Sequence, residues 1–116
     1  MDERRRFPRL NFSVEVEYKL LNSLPDSLKM GKSKNLSGGG ICIVALEKLN
    51  IGDTLSLKFS LPGDEKGVTA QGRVAWIDEF AVGNIGTSQA YDAGIEFTSI
   101  HKDDRKNIEQ YLMQHL

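Results

Sequence analysis

Three stretches of this chain alternate apolar and polar residues with a period of two: FSVEVEYKL (12–20), TLSLKFSL (54–61) and GVTAQGRVAWID (67–78). Successive side chains of a β-strand point to opposite faces of a sheet. Phe12, Val14, Val16, Tyr18 and Leu20 therefore form one core-facing row, Leu55, Leu57, Phe59 and Leu61 a second, and Val68, Ala70, Val74 and Trp76 a third. Residues that favour turns separate these rows. Asn22 to Lys29 carries a proline, an asparagine, an aspartate and two serines, and Pro62-Gly63-Asp64 closes the second row. MGKSKNLS (30–37) leads through Gly38, Gly39 and Gly40, which mark a bend or bulge, into the apolar strand ICIVAL (41–46). Gly72 marks a strand bending at a barrel corner, and GNIGTSQA (83–90) reads as a loop ahead of YDAGIEFTS (91–99). Only the last segment changes period. Ile108, Tyr111 and Leu112 fall at helical spacing, Asp103 and Asp104 occupy a first turn, and Ser99 is the expected cap. Five to seven short strands and one terminal helix, without βαβ alternation, predict a small antiparallel barrel or sandwich.

Composition narrows the class. With 116 residues, 40% hydrophobic and 27% charged, the chain suits one globular domain that needs no staples, and no apolar run approaches the roughly 18 residues of a membrane span. MDERRR continues into polar sequence without the apolar core of a signal peptide, so a cytoplasmic location is expected. The single cysteine, Cys42, is expected to pack as a small hydrophobe. Catalytic chemistry finds little support. His101 and His115 lie about four helical turns apart, too far to share a metal ion. The carboxylates are scattered over strand faces and turns, and NLSGGG lacks the lysine and following helix of a P-loop. The chain is expected to be no enzyme and to need no cofactor.

Its net charge of −1 argues against a broad basic surface for nucleic acid, yet RRRFPR (4–9) packs four arginines into six positions. Arginine's planar fork of donors matches phosphate oxygens and the N7/O6 edge of guanine. Pro8 fixes its own backbone angle and pushes Phe7 toward an extended conformation, which holds Arg5 and Arg9 on a non-helical stretch. NLSGGG adds the Asn35 amide, the Ser37 hydroxyl and backbone N–H groups at glycines that admit a close ligand. An anion-binding site is the expected chemistry.

R-x-x-x-R at Arg5 and Arg9, followed 26 positions later by N-x-S-x-x-G at Asn35, Ser37 and Gly40, resembles the two-part signature of PilZ domains, bacterial receptors for cyclic di-GMP. GRVAWI (72–77), AGIEFTSI (93–100) and the terminal helix are similar to the later parts of that family, and Asn35 stands where many members have aspartate. The resemblance implies an all-β fold, a small six-stranded antiparallel split barrel with a C-terminal α-helix. It implies one domain over 1–116, with an arginine-rich ligand loop (1–11), a barrel (12–98) and a helix (100–115). Arg5 and Arg9 would grip guanine edges and phosphates, Asn35 and Ser37 would bond base and phosphate, and Gly39 and Gly40 would keep the backbone low beneath the ligand. Arg4 is the expected contact for a second, intercalated cyclic di-GMP, making two ligands per chain. The expected role is that of a monomeric adaptor that orders its loop on binding and so alters contacts with an effector protein. The alternatives are an OB-like barrel for single-stranded nucleic acid, which needs exposed aromatics, and an interaction module without a ligand.

Overall fold

The computed structural model of the protein describes residues 10–21, 28–64, 66–82 and 88–115. Arg4, Arg5 and Arg9 lie outside the described residues. The elements run β1 (Leu10–Asn11), β2 (Glu15–Leu20), β3 (Lys29–Ser37), β4 (Gly40–Ala45), β5 (Thr54–Phe59), β6 (Val68–Val82), β7 (Ser88–Ile100) and α1 (Lys102–His115). All pairings are antiparallel, in the order β1-β3-β2-β5-β6-β7-β4, and a β3–β4 ladder closes the sheet into a barrel of six strands. The two-residue β1 extends one edge, opposite Leu36 and Asn35 of β3. No helix among the described residues is long and apolar enough to cross a membrane.

The alternating rows fill the barrel. Phe12, Val16 and Tyr18, all four apolar members of the 54–61 row, and Val68, Ala70 and Val74 are buried in one cluster with Ile41, Ile43 and Ile95. α1 caps it by burying Ile108 and Leu112 to 0% and 1% exposure, each such side chain contributing about 1.5–3 kcal/mol. Tyr111 meets Phe12 edge-on, ring centroids 5.7 Å apart.

Four expectations are corrected. Leu20 does not join the core row: it is the last residue of β2 and is 39% exposed. Trp76 does not join the core row: a β-bulge between Val74 and Trp76 shifts the register, and the indole is 39% exposed. Ser99 caps no helix, because it pairs with Gln71 inside β7; His101 takes that place, its Nδ1 accepting from the Asp103 N–H at 3.1 Å and its carbonyl from the Arg105 N–H at 3.0 Å. Ser88, Gln89 and Ala90, expected in a loop over 83–90, belong to β7, and the β6–β7 ladder runs from Ala70↔Ile100 out to Val82↔Ser88; positions 83–87 lie outside the described residues.

Candidate functional site

Two bulges determine which side chains leave the core. On β3 the register shifts between Ser33 and Asn35. Ser33 and Leu36, an odd number of residues apart, consequently both point inward, at 3% and 0% exposure, while Asn35 and Ser37 turn to the outer face. On β6 the shift after Val74 sends both Ala75 and Trp76 outward before Ile77 returns to the core. A bulge adds one unpaired residue and rotates the strand beyond it, so a sheet can re-aim a side chain without losing its ladder.

These outward residues share an open groove of about 470 Å3. It is lined by Asn35 and Ser37 of β3, Gly39 of the turn, Gly40 and Cys42 of β4, Trp76 of β6, Gly94 and Glu96 of β7 and Arg105 of α1. All four sequence-expected residues that the structure describes are therefore brought together. Gly38 and Gly39 make the β3–β4 turn, and Ser37 organises it: its Oγ accepts from the Gly39 N–H at 3.2 Å. The Gly39 carbonyl accepts from the Phe97 N–H at 2.9 Å. Gly40 has a structural reason to lack a side chain, since a Cβ there would lie 2.2 Å from the Ile95 carbonyl oxygen of β7. Gly94 likewise makes room for Trp76, whose Nε1 lies 2.0 Å from where a Cβ would stand, so the indole lies over β7 at Gly94 and lines the groove. Cys42 is buried to 5% exposure but lines the groove, outside the central cluster.

The charges nearby are mostly matched. Arg73 faces Glu96 at 3.6 Å, and Lys34 donates to Asp92 at 2.7 Å, a hydrogen bond that holds the Lys34 ammonium above its ordinary pKa. Sequence reasoning missed Trp76, Glu96 and Arg105, which come from strands and a helix distant in sequence from the glycine turn.

The sequence matches the PilZ domain over residues 3–114. The chain belongs to the PilZ domain family. Solved structures agree in fold. The inhibitor of motility MotI/DgrA of Bacillus subtilis superposes with a TM-score of 0.78 at 22% identity, covering 98% of this chain and 52% of that one. The PilZ domain of YcgR from Escherichia coli, solved with c-di-GMP, gives 0.73 at 16% identity, covering 98% and 92%. The K. pneumonia MrkH–c-di-GMP complex gives 0.72 at 17%, covering 98% and 53%. The chain thus spans about half the length of MotI/DgrA and MrkH. None of the curated proteins matches it.

Proposed function

We propose that this PilZ domain is a non-catalytic receptor for cyclic di-GMP that binds in the groove between the glycine turn and Trp76. The observation carrying this reading is that Asn35, Ser37, Gly39 and Gly40 line one groove, Asn35 and Ser37 from β3, the strand to which β1 is paired. Leu10, opposite Leu36, is covalently next to Arg9, so the arginine segment is tethered beside the motif it is expected to serve. Cyclic di-GMP carries two phosphates and two guanines. Arg5 and Arg9 supply the charge-assisted forks, Asn35 and Ser37 the neutral hydrogen bonds, and the exposed Trp76 face a stacking platform worth about 1–3 kcal/mol per base. Arg4 receives a second, intercalated molecule, giving two ligands per chain. Occupancy orders the arginine segment and changes the surface offered to an effector protein.

Titration calorimetry tests the reading, with GTP and a linear diguanylate as controls. Saturable binding of cyclic di-GMP alone is expected, with Arg5→Ala or Arg9→Ala each costing about 2–5 kcal/mol. Undiminished affinity in both variants would remove the arginines from the site. Binding of any long polynucleotide with steep salt dependence would make the domain a nucleic-acid barrel instead. Silence toward every ligand would leave an interaction module.

A further inference from the structure

Every described residue lining the groove comes from the barrel except one. Arg105, in the first half of α1, is the sole lining residue contributed by the helix and the sole cation among the described lining residues. It is half-buried, and among the described residues its guanidinium has no carboxylate partner: the ion pairs run Lys29–Glu47, Lys34–Asp92, Arg73–Glu96 and His101–Asp103. Glu96, the acidic residue lining the groove, is already opposite Arg73. A half-buried guanidinium without a carboxylate partner among the described residues, lining an open groove that also holds an amide and a hydroxyl, has the chemistry of a phosphate receptor.

We propose, resting on the receptor reading above, that Arg105 clamps a phosphodiester of the bound dinucleotide and that α1 is thereby the element that senses occupancy. The helix is well placed for this. Ile108 and Leu112, three and seven residues beyond Arg105, seat it in the barrel end, and Tyr111 packs on Phe12, which comes directly after β1 and so joins α1 to the segment leading from the arginines. A ligand held by Asn35 and Ser37 of the barrel and by Arg105 of α1 cross-links barrel and helix. By linkage, whatever shifts α1, including a partner bound to its exposed side around Met113 (75% exposed), changes ligand affinity by the same factor as the ligand changes affinity for that partner.

The test compares full-length wild type with Arg105→Ala, Arg105→Lys and Lys106→Ala, an exposed neighbour of equal charge that does not line the groove. Calorimetry with cyclic di-GMP is paired with amide hydrogen exchange over residues 102–115, and unfolding curves without ligand confirm that each variant folds. Arg105→Ala is expected to bind roughly 10- to 100-fold more weakly, the worth of one charge-assisted bond. Arg105→Lys should recover only part of this, because an ammonium cannot fork, and Lys106→Ala should stay within about twofold. Wild-type α1 amides should gain protection with ligand and those of Arg105→Ala should not. Wild-type affinity in Arg105→Ala would overturn the clamp while leaving the receptor reading intact. Unchanged α1 protection in liganded wild type would overturn the sensing role. A wild type that does not bind would overturn the receptor reading itself and the clamp with it.

Discussion

Ser33 is the one buried polar side chain among the described residues, and replacing it isolates what holds the N-terminal edge of the barrel together. Between β1 and β2 the chain at 12–14 leaves regular pairing, although the Phe12 N–H still reaches the Lys34 carbonyl at 3.0 Å and the Ser33 N–H the Val14 carbonyl at 2.9 Å. The Val14 N–H and the Phe12 carbonyl are left over, and one hydroxyl serves both. Ser33 Oγ accepts from Val14 N at 3.0 Å and donates to Phe12 O. Ser33→Ala strands both groups. Each unsatisfied buried group costs about 1–3 kcal/mol; Val14 is only half-buried, so water recovers part of its share and the total comes to about 2–4 kcal/mol. Measured against a domain stability of about 5–15 kcal/mol, this is a large fraction, equivalent to a fall in Tm on the order of 10 °C. Urea unfolding followed by circular dichroism should show a lower midpoint at unchanged slope. Exchange at residues 12–14 should accelerate beyond the global change. A loss below about 0.5 kcal/mol, the scale of a neutral surface substitution, would refute the idea that this hydroxyl bridges the break.

Gly94→Ala should evict the Trp76 indole, and because the chain has a single tryptophan, its emission reports the displacement directly; weaker cyclic di-GMP binding should accompany the spectral change. Stability should fall at alkaline pH. Burial, then the Glu47 charge, raises the Tyr18 phenol above its ordinary 10.0, and the hydrogen bond to Asp92 raises Lys34 above 10.5. The folded state holds both protons more tightly than the unfolded one, so their contribution is complete below pH 10 and is lost as pH rises through the folded values. Tm measured from pH 8 to 11 should decline at the top of that range, and Tyr18→Phe should flatten most of the decline, since Lys34 is solvent-screened. Backbone amides of residues 4–10 should gain exchange protection when ligand arrives, because two phosphates neutralise the crowded arginines; equal protection with and without ligand would mean a preformed site.

The 54–61 row shows why so much of the barrel was legible. β5 pairs with β2 and β6 without a register shift, so a period of two holds from end to end and Leu55, Leu57, Phe59 and Leu61 are all buried as the alternation requires. β3 and β6 contain bulges, and there the same rule loses phase. Ser33 with Leu36, and Val74 with Ile77, face inward at odd spacings that a period-two reading treats as noise. The alternation therefore puts Trp76 in the core row. Ser99 reads as a helix cap because cap chemistry is local, whereas its pairing with Gln71 depends on a strand almost thirty residues away in the chain.

The same distinction divides the groove. Asn35 and Ser37 stand two apart on one strand, so whichever face that strand presents, they share it; their convergence is a property of local spacing. Arg105 has no such guarantee. Flanked by Asp104 and Lys106, it reads as one more charge on a solvated helix, and only the seating of Ile108 and Leu112 in the barrel end determines that position 105 and not 106 lines the groove. Trp76 depends in turn on a bulge and on the missing side chain of Gly94 across the ladder. The lining residues written in the motif can therefore be transplanted by sequence, while those supplied by β6, β7 and α1 cannot. Two chains with the same R-x-x-x-R and N-x-S-x-x-G residues should accordingly differ in affinity by as much as the stacking face and the helix cation contribute.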